Sequence, residues 1–350
     1  MNTIYFRRFR IAVVTLLALG MCSCSQEDLN EHELSETIFV RHKNADMPAY
    51  IHGNSSEKVF LIILHGGPGG TGLSYRVNTI RTEIEKNNAV VYFDQRGSGN
   101  AQGNYSEKDV SVDIMAEDVL ALAKVIKTKY GKESKLFLMG HSWGGTLGPA
   151  ALLKNQEDFS GWIDVAGVHD PKGMYAVYKV ILKEMADEQI ALGNSVDHWQ
   201  SVLELLQNTA SSYTVDDFFK LNNAAHKGED VLRSDEVIVD AEADFGDEIL
   251  INNPITKRWN SNGISDILAF KKGLWENVSF TDRLAEFDIP ALVLWGKYDL
   301  IVPTAFAQEA FENLGSDEKE LLIFEQSGHS PMTSEPNLFA DKVIDFINSH

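Results

Sequence analysis

Apolar and polar positions along the chain fall into two rhythms. Short unbroken apolar runs recur at "KVFLIIL" (58–64), "AVVYFD" (89–94), "KLFLMG" (135–140), "GWIDVAG" (161–167), "PALVLWG" (290–296) and "ELLIFEQ" (320–326). A strand with one wet face alternates, whereas continuous runs of this length mark strands buried on both faces. Between them the spacing turns helical. In "SVDIMAEDVLALAKVIKTKY" (111–130), Ile114, Val119, Leu120, Leu122, Val125 and Ile126 share one broad face. Strands alternating with helices predict a mostly parallel sheet covered on both sides. Ahead of them, "ETIFVRH" and "PAYIHG" predict a short antiparallel pair.

One gap breaks the alternation. About 120 residues separate "WIDVAG" from "PALVLWG" without a convincing buried strand, and a structureless loop of that length does not fit a compact domain. The stretch reads as helices: "MYAVYKVILKEMADEQIAL", "VDHWQSVLELLQNT", "TVDDFFKLNNAAH" and "ISDILAFKKGL". The expected organisation is a sheet domain in two parts, 35–169 and 286–350, with a helical cap inserted at 170–285. That insertion carries about twice as many acids as bases. No internal repeat or low-complexity tract is found.

The beginning of the chain follows neither rhythm. Arg7, Arg8 and Arg10 precede the apolar "IAVVTLLAL" (11–19), which is too short to span a bilayer as a helix. "GMCSCS" follows, with small residues and the chain's two cysteines. This resembles a bacterial lipoprotein signal over 1–23, with plain secretion as the alternative. Ser23 before Cys24 suits the small-residue rule, while the leucine ahead of Cys22 favours that residue, so lipidation at Cys24 or Cys22 stays open. Residues 24–34 are polar and acidic and read as a tether. The expected location is the cell envelope, lipid-anchored, facing the periplasm or the cell surface.

Composition narrows the function classes. At 44% hydrophobic, 350 residues bury a sizeable core without staples. The net charge of -20 repels phosphate backbones and counts against nucleic acid as a partner. No Cys/His spacing suggests a metal site, and no disulfide is possible in the body of the chain.

Four motifs stand where the predicted strands end. "HGGPGGTG" begins at His65, and its Gly67 to Gly72 fit G-x-G-x-x-G with Asp94 at the next strand end. That is the spacing of a dinucleotide fingerprint. Against it, Pro68 removes a loop N–H, "DQRGSG" adds a tight turn such a fingerprint does not need, and everything after residue 100 goes unexplained. The second motif is Gly140-His141-Ser142-Trp143-Gly144, a G-x-S-x-G between a buried strand and a helical pattern from Thr146 to Leu153, the context of a nucleophile elbow. The third is "GKYDLIVP" with Asp299, and the fourth "SGHSP" with His329. Serine, acid and histidine in this chain order match α/β-hydrolases, and open α/β sheets carry their sites on the edge where these strands end.

The chemistry follows from the residue types. His329 takes the Ser142 proton and returns it to the leaving group; Asp299 fixes the imidazole tautomer and stabilises the imidazolium. The N–H of Trp143 and one from the first glycine loop, that of Gly67, would hold the oxyanion. Acyl transfer to water through an acyl-enzyme calls for no metal or cofactor. Asp164, on the preceding strand, is the next candidate acid.

Together "HGGPGG", "YFDQRGSG", "GHSWGGTL", "GKYDLIVP" and "SGHSP" resemble the prolyl iminopeptidase branch of the α/β-hydrolases, peptidase family S33, over residues 58–150 and 290–331. The resemblance implies the triad Ser142, Asp299 and His329, oxyanion donors Gly67 and Trp143, and a cap that selects substrate. It also implies release of an N-terminal residue, often proline, from short peptides. Two departures stand out. The family's elbow usually reads G-G-S-W-G-S, where this chain has His141 and Gly145. Its amine-binding W-x-x-W-E stretch is missing, and Trp275-Glu276 lies too near the end of the insertion to replace it. Glu184, Glu188, Glu204, Asp244 and Glu248 are candidate amine ligands. An esterase or lactonase with the same triad, or a non-catalytic surface lipoprotein, are the competing readings.

Overall fold

The apolar runs become the parallel strands of a nine-stranded sheet. The computed structural model describes residues 33–104, 106–241 and 263–350. Its strands are β1 (Glu33–His42), β2 (Ala45–Asn54), β3 (Val59–Leu64), β4 (Ala89–Phe93), β5 (Gln102–Gly103), β6 (Lys135–His141), β7 (Gly161–Val165), β8 (Ala291–Gly296) and β9 (Lys319–Phe324). They lie in the order β1-β2-β4-β3-β6-β7-β8-β9, with β5 beside β2. β2 runs antiparallel to β4, and every neighbour from β4 through β9 is parallel. The first two strands form the expected hairpin. Its turn residues, Lys43 and Asn44, have φ of 41° and 64°, the twist that suits a two-residue connection.

The main helices are α1 (Val112–Tyr130), α2 (Gly144–Leu152), α3 (Met174–Leu192), α4 (Val196–Gln207), α5 (Val215–Ser234), α6 (Ala305–Asn313) and α7 (Pro336–Ser349). Burial on both faces explains the unbroken strand runs. In β3, Phe60, Ile62 and Leu64 enter one core, and Leu61 and Ile63 the other. Helix α1 closes the first core with Met115, Val119, Leu122 and Ile126; α7 closes the second with Phe339, Val343 and Phe346. Each such fully buried side chain contributes roughly 1.5–3 kcal/mol. Helix α1 starts where the Ser111 hydroxyl accepts the Ile114 N–H at 3.2 Å.

Between β7 and β8 the described elements are all helical, joined by loops. Helices α3 and α4 begin where the pattern places them. Helix α5 is capped by Thr214, whose hydroxyl accepts the Asp217 N–H at 3.1 Å, and runs on to Ser234 rather than stopping near His226. Gly228 lies inside it, where a Cβ would come 2.9 Å from Leu300 Cδ1, so the helix packs tightly on the loop after β8. The pattern at 264–274 yields a widened turn at Ile267–Lys271 and a single turn at Leu274–Asn277. Among the described residues no helix is long and apolar enough to cross a membrane. The signal segment and the tether as far as residue 32, with Cys22 and Cys24, lie outside the described residues, while Glu33 and Leu34, expected at the end of the tether, instead begin β1.

Candidate active site

Ser142 stands where β6 turns into α2, with φ of 56°, a left-handed conformation that is costly for a residue with a side chain. The turn is pinned on both sides. Ser142 N–H donates to Val165 O at 3.0 Å, and its carbonyl accepts from Gly145 at 2.8 Å and Val168 at 3.1 Å. So sharp a reversal drives α2 against the sheet. A Cβ on Gly144 would lie 2.1 Å from Leu64 O, and one on Gly145 2.2 Å from Gly167 Cα. The second distance accounts for one family departure: the 167 backbone occupies the space a serine at 145 would need.

Asp299 and His329 arrive from the ends of β8 and β9. His329 Nδ1 lies 3.0 Å from Asp299 Oδ2, and both residues are buried. The other Asp299 oxygen accepts from Ile301 N–H at 3.0 Å and Val302 N–H at 2.8 Å, which fixes the carboxylate's orientation. Burial pulls the His329 imidazole down, but Asp299 and, behind it, Glu229 outweigh burial and leave its pKa raised. Ser142, His329, Gly67 and Trp143 line one cavity of about 300 Å³. The N–H groups of Gly67 and Trp143 meet no acceptor among the described residues.

His141, the other departure, ties the two sides of this site together. Its Nε2 lies 2.8 Å from His329 O, its Nδ1 2.6 Å from Tyr75 Oη, and Tyr75 Oη accepts the Gly66 N–H at 2.8 Å. Burial, then the neighbouring His329, push His141 down to about 3, so it is neutral. A carbonyl only accepts, so Nε2 carries the proton and Nδ1 accepts from the Tyr75 hydroxyl. The order Gly66 N–H to Tyr75 O–H to His141 to His329 carbonyl is therefore fixed in direction.

"DQRGSG" is scaffolding for the same edge. Asp94, the acid of the apparent dinucleotide fingerprint, accepts from Thr71 Oγ1 at 2.9 Å, Gly72 N–H at 2.8 Å and Asn100 N–H at 2.8 Å. It is fully buried and braces two loops, which leaves it no face for a ribose. Gln95 donates to His65 O at 2.9 Å and accepts from the Trp143 indole at 2.8 Å. Arg96 grips Asp118 through two N–H groups at 2.8 and 2.7 Å. Asp164, the reserve acid, is bonded at 2.6 Å to His169 rather than to His329.

The far wall of the cavity comes from the helices between β7 and β8, with Met174, Asn222, His226, Leu274 and Trp275. Asn222 donates its amide to Tyr178 Oη at 2.8 Å. No carboxylate lines the cavity among the described residues. Glu184, Glu188 and Glu204 are exposed on α3 and α4 and do not reach it, and Glu276 is exposed as well. Three of the five candidate amine ligands are thus solvated helix-face acids; Asp244 and Glu248 lie outside the described residues. Sequence reasoning missed Asn222, His226 and the fully buried Glu229, all on α5. Their only signal was membership of an amphipathic helix whose lower end the pattern did not reveal. Among the described residues, no group of His, Cys, Asp and Glu is placed to hold a metal ion.

A parallel sheet sandwiched by helices, a serine on a strained strand-to-helix turn, and an acid and a histidine at later strand ends define an α/β-hydrolase. A proline iminopeptidase-related protein of Thermus thermophilus has the same fold at a TM-score of 0.60 with 20% identity, over 90% of this chain and 98% of that one. An esterase of Exiguobacterium antarcticum matches at 0.57 with 17% identity, over 90% and 100% of the two chains. Residues 56–260 match the family described as serine aminopeptidase, S33, and the chain belongs to that family. A probable aminopeptidase of Bacillus subtilis is 25% identical over 326 residues, covering 88% of this chain and 94% of the relative.

Proposed function

We infer that the protein is a serine hydrolase that releases N-terminal residues from short peptides through an acyl-enzyme. The observation that carries this reading is that Ser142 and His329 line one cavity, with His329 hydrogen-bonded behind it to the buried Asp299 at 3.0 Å. His329 acts as base and then acid, Asp299 holds its tautomer, and the free N–H groups of Gly67 and Trp143 receive the oxyanion. Family membership supports a peptide substrate, and the mostly apolar cavity suits a compact ring such as proline. Covalent labelling by a fluorophosphonate tests the chemistry: label on Ser142 that vanishes in Ser142→Ala supports it, and absence of label on folded protein ends it.

One observation favours a second reading, an esterase or lactonase. An aminopeptidase needs an anchor for a charged amine, and among the described residues the cavity offers no carboxylate. Turnover of proline β-naphthylamide against a short-chain p-nitrophenyl ester separates the two, since hydrolysis of the ester alone removes the aminopeptidase reading. The N-terminal segment further suggests a lipid-anchored enzyme of the cell envelope. Release from the membrane fraction in Cys24→Ala or Cys22→Ala would support the anchor and identify the cysteine; a soluble wild-type protein would end that reading.

A further inference from the structure

Glu229 is a buried acid that the chemistry above does not use. It lies on α5, fully enclosed, and is not among the residues lining the cavity. Its Oε1 accepts the Leu300 N–H at 3.1 Å, and its Oε2 accepts the His329 N–H at 3.1 Å. Leu300 follows Asp299 directly, so a single carboxylate from the inserted helices joins the loop that delivers the acid to the loop that delivers the base. Arg233, one turn on, donates to Oε2 at 3.0 Å and is itself held by Asp230 at 3.2 Å and Asp240 at 3.1 Å. The chain beyond α5 then docks on the His329 side, with Val239 N–H to Gln326 O at 3.1 Å and Ala241 N–H to Thr333 O at 3.1 Å.

The neighbouring loop is shaped around this carboxylate. A Cβ on Gly328 would lie 2.4 Å from Glu229 Oε2, so the residue before His329 leaves room for the acid. Burying a charge costs several kcal/mol unless it is well bonded; three N–H donors bond it here, and burial and the charge of Asp299 still push its pKa up to about 7. An apolar residue in its place would leave the Leu300 and His329 amides without acceptors inside the protein. Enclosed as it is, Glu229 does not meet a substrate amine.

We propose that Glu229 is a positioning residue, a bracket from α5 that fixes the Asp299 and His329 loops to each other, so that the helices between β7 and β8 set the geometry of the pair. The inference rests on the reading of Ser142, Asp299 and His329 as the triad. Besides His329, the charged or titratable groups that face the carboxylate are Asp299, Arg233 and Tyr178. Glu229 is one of the groups that raise the His329 pKa, so removing its charge lowers that pKa and moves the acidic limb of kcat/KM to lower pH.

The test uses the full chain carrying Glu229→Gln, which keeps size but loses the charge and one of the two acceptors. The readouts are kinetics on the p-nitrophenyl ester, fluorophosphonate labelling rate and the His329 pKa by NMR of the imidazole protons. The expected result is a kcat lower by about tenfold or more and a KM within about twofold of wild type. Labelling slows in parallel, and the acidic limb and NMR pKa both move down. Glu229→Asp, which keeps the charge, returns both pH readouts toward wild type. Thermal melting gives the folded fraction, so rates are compared per folded molecule. A Glu229→Gln enzyme with unchanged kcat, limb and His329 pKa overturns the proposal, as does a kcat loss that follows unfolding while both pH readouts stay fixed. Failure of the triad reading looks different: wild type then takes no label at Ser142, whereas a labelled wild type with unaltered Gln-variant kinetics removes Glu229 alone.

Discussion

The cavity has two walls built on different terms. One is the strand-end wall of Gly67, Ser142, Trp143 and His329, where backbone hydrogen bonds and close-packed glycines dictate every position. The other is the helical wall of Met174, Asn222, His226, Leu274 and Trp275, where amphipathic helices bring side chains without comparable backbone constraint. A wall held by backbone geometry tolerates little change of residue type, and it suits chemistry that must be placed to a fraction of an ångström. A wall held by side-chain packing accepts many residues, and it suits choice among substrates. The contrast separates how the chain would cleave a bond from which bond it would choose.

Changes on the strand-end wall should test this most severely. Asp299→Asn should cost about 10⁴-fold in kcat with the fold intact, because the amide turns its donor toward Nδ1 and favours the wrong tautomer. Near-normal turnover would mean the acid is elsewhere, although Asp164 is already engaged by His169. Tyr75→Phe comes next. It deprives the Gly66 N–H and His141 Nδ1 of their partner, which should lower stability by about 1–3 kcal/mol in denaturant melts and kcat by about tenfold as the loop at Gly66 and Gly67 loosens. An unaltered melt would show that water replaces the hydroxyl.

Changes on the helical wall should act on selection. Asn222→Ala should raise KM several-fold on the preferred substrate, leave kcat within about twofold, and leave the fluorophosphonate labelling rate unchanged. A fall in kcat without a change in KM would place Asn222 in the chemistry and blur the distinction between the walls. The smallest effect is expected from Glu184→Gln, Glu188→Gln and Glu204→Gln. Exposed and away from the cavity, they should leave kcat/KM on proline β-naphthylamide within about twofold of wild type. A large loss in any of them would mean that the helices reach the substrate in a second arrangement.

The same contrast explains what was legible in the sequence. Strands buried on both faces leave continuous apolar runs, so β3, β4, β6, β7, β8 and β9 could be read to within a residue or two. The strained turn at Ser142 demands glycines around it, and those glycines make the motif visible. A two-residue strand such as β5 leaves no pattern. Helix α5 was legible only in its first half, because "KGED" after His226 combines a glycine with three charges. The glycine is there for contact with Leu300, and the second charge, Glu229, is buried against the Asp299 and His329 loops. Long-range pairing of this kind, 100 residues apart for Glu229 and His329, has no periodic signature. Asp94 shows the converse, since its spacing pointed to a ribose while its partners turned out to be the protein's own loops.

The His141 ring lies beside that of His329, with centroids 4.6 Å apart. Two imidazoles so close would ordinarily share a titration, each blurring the other's midpoint. Here one is held far below neutrality and the other above the ordinary histidine value of 6.5. In the Tyr75–His141–His329 carbonyl row the lone pair on His141 Nδ1 is already taken by the Tyr75 hydroxyl, and burial and the nearby His329 oppose a second proton there. Over the physiological range the two rings therefore count as a single ionisation, that of His329, and the other group that shapes the acidic limb of kcat/KM is Glu229, which burial and the charge of Asp299 push up to about 7.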